Sequence, residues 1–426
     1  YRRRPDVRFA PASNQKLLTT AFALDRLGAD FHFTTSAHLV GDGLYVIGSG
    51  DPTLGDPVLA DEGGESIYAD LDALASAIRR VDPNGLDGTV VLFACFTDRQ
   101  QAPQASFRNP DWPAEQHAKW YCAPVAGLNF HNNCFDVTFA RRGGRIRPVV
   151  SPASRRIDVI DRVRPGKRHL WAMRVDDDDG RVVLSGTART ASDEPISIAC
   201  NHPPMLLARV LAERLARGGV RLGGRLGVVP VAPEPGAEWP APVWRKRTPL
   251  WTAMRRMNKT SLNMAAESVF LRAGGGTWAA ARQRMTDSLV ETYGLARAGL
   301  RVRDGGGLSQ DNRVTPAGLM QVLTALARRD DFDDVLATLP ICGEDGTLRR
   351  RLTREPYAGR VRAKTGYIRS ASALSGYVLD AAGTPAVAFS VLVNRIVPGK
   401  SWKAKRLQDD LCRMLVDWLD EQPIAR

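Results

Sequence analysis

The spacing of apolar positions changes character several times along the chain. Over residues 12–28, Leu17, Leu18, Ala21, Leu24 and Leu27 keep the spacing of one helical face, and Gly28 stands where a C-cap belongs. From 31 to about 139 the pattern turns to short runs, at 31–40, 44–47, 89–94 and 135–139. Turn residues at 48–52 and 82–85 break them, as expected of strands. A second strand-like series occupies 146–150, 156–163, 170–175 and 181–186. Residues 204–219 read as an amphipathic helix ending on two glycines, and the Pro-rich stretch 229–242 as a linker or domain edge. Beyond it helices dominate, at 261–272, 278–293 and 316–328. The runs 373–379 and 386–394 flank 380–385 and predict a hairpin. The closing helix, 401–419, carries Leu407, Leu411, Met414, Leu415 and Trp418 on one side.

No internal repeat is visible. The pattern predicts an α+β protein in which both chain ends build a helix-rich unit, 1–38 with 243–426, around a β-rich insertion, 39–242. That insertion is expected to hold two subdomains, one of them, about 65–145, nested within the rest.

Composition narrows the classes. The 426 residues, 44% hydrophobic and 25% charged, exclude a disordered or fibrous chain, and the length favours two or three domains. No run reaches the roughly 18–20 apolar residues of a membrane span, and the best, 386–393, has the length of a strand. The first residues, from Tyr1, lack the basic-then-apolar pattern of a secretion signal. Cysteines 95, 122, 134, 200, 342 and 412 form no C-x-x-C pair and the six histidines no ligand spacing, so a metal site is not expected. The net charge of +13 suits an anionic partner such as nucleic acid, acidic lipid or cell-wall polymer, or equally a solvated arginine-rich surface. The arginines form no sustained run with interleaved aromatics, which argues against nucleic acid.

Three short patterns carry chemistry. Ser13-Asn14-Gln15-Lys16 opens the first helix, where three-residue spacing sets serine and lysine on one face a turn apart. A lysine can act as base to a serine hydroxyl only if burial or a second cation lowers its pKa. Ser261-Leu262-Asn263 heads another helix. Lys364-Thr365-Gly366 precedes the strand-like Tyr367-Ile368. With only nine lysines present, K-T-G should arise by chance in about one such chain in twenty. A lysine and a hydroxyl on an edge strand can hold a carboxylate, and the glycine would let a substrate backbone lie against the strand.

In this order S-x-x-K, S-x-N and K-T-G are the signature of active-site-serine penicillin-recognising enzymes. The 248 positions from Ser13 to Ser261 leave room for a large insertion between the first and second motifs. The chain resembles the class C low-molecular-mass penicillin-binding proteins, the D-Ala-D-Ala carboxypeptidase/endopeptidase family. The likeness runs over nearly its whole length. It includes the segment around Ser13 and Lys16, the turn from Gly48 to Leu54, the segment from Tyr121 to Asn129, D-G-G-G-L-S from Asp304 to Ser309, and G-E-D-G-T-L from Gly343 to Leu348. Gly306 replaces a serine usual in that family, and Tyr367 a smaller residue.

The resemblance implies a penicillin-recognising catalytic domain, an antiparallel sheet flanked by helices, interrupted by the β-rich insertion. It implies catalytic Ser13, Lys16 and Ser261, with Ser13 attacking the stem peptide of peptidoglycan to form an acyl-enzyme. Lys16 would be the base, kept neutral partly by Lys364, and Ser261 the proton relay to the leaving D-alanine. Asn263, Lys364, Thr365, Gly366 and Tyr367 would bind substrate, with the Ser13 and Tyr367 N–H groups as oxyanion hole. Asp304, Gly306 and Ser309 are candidates for lining the cleft. Asn258 and Lys259 read as structural. β-Lactams would acylate Ser13, no cofactor is implied, and the enzyme would work outside the cytoplasmic membrane. A β-lactamase or esterase on the same fold, or a non-catalytic peptidoglycan-binding protein, are the alternatives.

Overall fold

In the computed structural model, described for residues 1–81, 86, 88–97, 107–176, 178–234 and 239–422, the chain forms two units. One comprises Tyr1–Phe31, Pro249–Gly274 and Trp278–Arg426, the other His32–Thr248 with Gly275–Thr277. After a 3-10 turn at Ala12–Asn14 come helix α1 (Gln15–Leu27), strands β1 (His32–Val40) and β2 (Gly43–Ile47), and helices α2 (Pro57–Gly63) and α3 (Ala69–Val81). Strands β3 (Val90–Phe93), β4 (Cys134–Arg142), β5 (Arg145–Ser151), β6 (Asp158–Pro165), β7 (Leu170–Val175), β8 (Arg181–Ala188) and β9 (Ser192–Ala199) lead to helix α4 (Pro203–Arg217). Then follow β10 (Leu226–Val229), β11 (Trp244–Pro249), α5 (Leu250–Lys259), α6 (Asn263–Gly274), α7 (Trp278–Glu291), α8 (Pro316–Leu326) and α9 (Phe332–Thr338). The chain closes with β12 (Val361–Ile368), β13 (Ala371–Leu379), β14 (Pro385–Asn394) and α10 (Ser401–Glu421).

In the second unit a five-stranded sheet has the order β10-β3-β2-β1-β11, with β3 parallel to both β2 and β10. Two three-stranded sheets, β5-β4-β9 and β6-β8-β7, complete it. Leu71, Leu74 and Ile78 of α3 and Leu207, Leu211 and Leu215 of α4 join the strand residues Leu44, Val46 and Leu92 in one core. The division between units falls at 31/32 and 248/249 rather than at 38/39 and 242/243, because β1 and β11 are strands of this sheet and cannot be split from it. Ladder pairs also cross both ends of the 65–145 segment: β3 joins β2 and β10, and β4 joins β5 and β9. Within the stretch expected to be short strands, 69–81 is a helix whose Leu71, Leu74, Ala75 and Ile78 face the core. The break expected at 82–85, and 235–238 in the Pro-rich stretch, lie outside the described residues.

The first unit holds the three motifs. Its antiparallel sheet, β12-β13-β14, is built on the hairpin expected at 373–394. The Asp380 carboxylate closes the turn by accepting from Ala382 N and Thr384 N, at 2.9 and 2.8 Å. Helix α10 covers the sheet, but with a different face from the one its large apolar residues suggest. Ala404, Gln408, Cys412 and Val416 are buried, with Leu411 and Leu415 beside them, while Leu407, Met414 and Trp418 are 57, 66 and 50% exposed. The buried row takes small residues and one glutamine, whose Nε2 donates to Ser372 Oγ at 3.2 Å, so side-chain size misassigns the face.

Helices α1 and α6 pack against each other, and both are buried on nearly all sides. A helix buried all round is normally apolar. These two bury Lys16, Thr19, Thr20, Asn263, Glu267 and Ser268. Buried polar groups need partners, and the partners build the site.

Candidate active site

The turn carrying Ser13 is held in a conformation few side chains adopt. Ala12 has φ +48° and is buried, and Ser261, heading the second motif, has φ +60°. Two glycines admit the first turn. A Cβ on Gly307 would come within 1.9 Å of Ala12 O, and one on Gly366 within 2.9–3.1 Å of Pro11 O, Ser13 N and Asn14 N. The glycine of K-T-G therefore makes room for the nucleophile's own backbone, a contact expected instead for a substrate. With its amide oriented to satisfy both ends, Asn14 donates to Lys364 O at 2.9 Å and accepts from Ser375 N at 3.1 Å. It thus ties the Ser13 turn to β12 and β13.

The motifs meet as two lysine–serine pairs. Lys16 Nζ donates to Ser13 Oγ at 3.2 Å, to Asn263 Oδ1 at 2.6 Å and to the Gly306 carbonyl at 2.7 Å. Lys364 Nζ donates to Ser261 Oγ at 3.0 Å and to the Thr365 carbonyl at 2.8 Å. Both lysines are fully buried, whereas both serines keep partial exposure. Burial brings Lys16 down to about 8, against the opposing pull of the Glu267 and Asp304 carboxylates. Lys364 is pushed well below the ordinary lysine range by burial and then by the charge on Lys16. Burial is thus what lowers Lys16, where the expectation gave part of that role to Lys364. The repulsion between the amines is felt at Lys364.

The remaining candidates fall into two groups. Thr365 Oγ1 donates to Thr347 Oγ1 at 2.7 Å, and Tyr367 is 56% exposed with Lys405 Nζ 5.7 Å from its ring centroid. Asp304 and Ser309, by contrast, are buried within their own loop. Asp304 accepts from Gly307 N at 2.7 Å, Ser309 N at 2.6 Å and Asn312 Nδ2 at 2.8 Å. What this loop gives the site is the Gly306 carbonyl. Asn258 and Lys259 are structural: Asn258 Nδ2 donates to Thr20 and Thr338, and Lys259 pairs with Asp345.

The family model for D-Ala-D-Ala carboxypeptidase 3 (S13) matches residues 1–415. The chain belongs to this family. It is accordingly a serine-type D-Ala-D-Ala carboxypeptidase. A D-alanyl-D-alanine carboxypeptidase of Actinomadura sp. strain R39 is 28% identical over 92% of this chain and 75% of its own length. The DacB carboxypeptidase of Haemophilus influenzae is 26% identical over 90% and 80%. The fold of penicillin-binding protein 4 from H. influenzae superposes with a TM-score of 0.78 at 22% identity, over 97% of this chain and 93% of that one. Bd3459, a predatory peptidoglycan endopeptidase from Bdellovibrio bacteriovorus, shares the fold with a TM-score of 0.54 at 15% identity, over 98% and 88%.

In this S13 member the motifs alone miss one ionisable group. Glu267, one turn after Asn263 and fully buried, accepts from Gly305 N at 3.0 Å and from Gly306 N at 2.7 Å. Burial, reinforced by Asp304, lifts it to about 8. Its sequence signal is a lone carboxylate among Met264, Ala265, Ala266, Val269 and Phe270, four places beyond a motif residue.

Proposed function

We propose that Ser13 is the nucleophile of a DD-peptidase acting on peptidoglycan stem peptides. The observation that carries this is the unequal exposure of two lysine–serine pairs, with both lysines buried and both serines partly exposed. A Lys16 lowered to about 8 is neutral in a useful fraction of molecules near neutral pH, so it can take the Ser13 proton as the Oγ–carbon bond forms. The Ser13 and Tyr367 N–H groups stabilise the oxyanion, each worth roughly 3 kcal/mol. As the carbon–nitrogen bond breaks, Ser261 passes a proton to the departing D-alanine amine, supported by Lys364. Asn263 fixes Lys16 beside Ser13 and borders the substrate's amide. Lys364 and Thr365 hold the terminal carboxylate, whose negative charge favours protonation of the buried Lys364 amine as it arrives. Water then cleaves the acyl-enzyme.

The same steps with a β-lactam, which presents a carboxylate beside a strained amide, give a slowly released adduct. Cleavage of cross-links as well as terminal D-alanine belongs to this reading, as does action outside the cytoplasmic membrane, where the substrate lies. Among the described residues no helix is long and apolar enough to cross a membrane. The +13 charge would favour contact with anionic wall or membrane material.

The test is acylation by a fluorescent penicillin, wild type beside Ser13→Ala, followed by intact mass over time. A lasting adduct that needs Ser13 is expected, together with release of D-alanine from a stem pentapeptide. Rapid turnover without an adduct would point to a β-lactamase. A folded protein that neither labels nor turns over would refute the catalytic assignment.

A further inference from the structure

The three motifs leave the buried carboxyl of Glu267 without a role, yet it sits at the centre of the groups that hold Lys16. The turn Gly305–Gly306 is pinned from two helices. On the α1 side Thr19 Oγ1 donates to Gly305 O at 2.7 Å and Lys16 Nζ to Gly306 O at 2.7 Å. On the α6 side the two oxygens of Glu267 take the N–H groups of Gly305 and Gly306. A Cβ on Gly306 would lie 3.0 Å from both Glu267 Oε1 and Asn263 Oδ1, so the glycine at 306 keeps the carboxyl close to the turn. Carboxylate and lysine are near enough for each to act on the charge of the other.

We propose that Glu267 is a positioning residue for acylation, anchoring the turn that holds Lys16 and setting the pH at which Lys16 becomes the base of Ser13. The inference rests on the reading of Ser13 as nucleophile and Lys16 as its base. The charged groups identified around Lys16 and Glu267 are Asp304, from the loop, and Lys364, from β12. An ionised Glu267 favours protonated Lys16. Removing that charge lets Lys16 lose its proton at lower pH. Removing an acceptor loosens the turn at every pH. The two roles therefore separate in a rate profile: charge sets where the acid limb falls, and anchoring sets the height of the plateau.

The experiment is the pH dependence of second-order acylation by a fluorescent penicillin for wild type, Ser13→Ala and Glu267→Gln. The expected result for Glu267→Gln is a lower plateau with the acid limb displaced to lower pH by about one unit. A folded Glu267→Gln whose limb coincides with wild type overturns the proposal and leaves Glu267 as packing. A wild type with no Ser13-dependent adduct overturns the nucleophile assignment and this inference with it. Should Glu267→Gln not fold, infrared spectra of the wild type decide. A buried carboxylic-acid stretch that gives way to a carboxylate within the pH range of the acylation limb is expected, and a carboxyl that stays protonated across that range overturns the proposal.

Discussion

Each unit buries a polar network, and the two are built to opposite ends. In the second unit Asp51, in the turn from Gly48 to Leu54, accepts from Thr53 N, Thr53 Oγ1 and Thr248 Oγ1 at 2.8, 2.7 and 2.6 Å. Asn129 donates to Asp51 O and Ala126 O and accepts from Ala126 N and Asn133 Nδ2. Neutral donors meet acceptors with good geometry, and the result is a closed knot joining segments far apart in sequence. In the first unit Lys16, Lys364, Glu267 and Asp304 are all fully buried, and each lysine has only a partly exposed serine as its hydroxyl partner. A satisfied network fixes a fold. A network of buried charges that press on one another, with hydroxyls at its edge, shifts the proton affinities that acylation needs.

The largest effect that could break this contrast comes from Lys16→Met, which keeps length and removes the base. Acylation should fall by about 10²- to 10⁴-fold while the protein still melts cooperatively. A change of less than about tenfold would mean that another group takes the Ser13 proton. Next is Asp51→Ala, which leaves buried donors without an acceptor. It should cost about 3 kcal/mol of stability, read by denaturant melts, with the acylation rate per folded molecule unchanged. Slower acylation in fully folded Asp51→Ala would show that the knot also serves the chemistry.

The sequence carried more of the site than of the scaffold. S-x-x-K, S-x-N and K-T-G each fell where local spacing can be read, on a helix turn or a strand, and the structure brings all three together. The roles of Glu267, Thr347 and the left-handed Ala12 were not legible, because they come from neighbours distant in sequence: Gly305 and Gly306, Thr365, and Gly307 with Gly366. Helix α3 was legible in principle from Leu71, Leu74, Ala75 and Ile78, but it lies among short strand-like runs. The face of α10 was not, since it turns on Gln408 finding Ser372 on another element.

A smaller effect joins stability to the site. Glu267 is raised from 4.5 to about 8 on folding, so its contribution is full at acid pH and lost as pH rises through that interval. Lys16 is lowered from 10.5 to about 8, so its contribution is full above 10.5 and lost as pH falls toward about 8. The contributions of these two groups taken together are least near pH 8, where Lys16 becomes a competent base, while Lys364, pushed well below its ordinary range, adds a rise with pH that wild type and a Glu267 variant share. Glu267→Gln removes the first contribution, so its melting temperature relative to wild type should climb between mildly acidic pH and about pH 8. A difference that stays flat with pH would mean that Glu267 is ionised throughout that range.

The smallest effect sharpens the division of labour on β12. Thr365 Oγ1 donates to Thr347 Oγ1, at the exposed end of the site and away from the buried amines. To bind a substrate carboxylate Thr365 must turn its hydrogen toward the ligand, and Thr347 can then donate back to it. Thr347→Val removes that support without touching Lys16 or Lys364. One neutral hydrogen bond is worth about 1 kcal/mol, so substrate binding should weaken about fivefold while the limiting acylation rate holds. An equal loss in both would place Thr365 with the buried network, as part of the proton machinery rather than of carboxylate recognition.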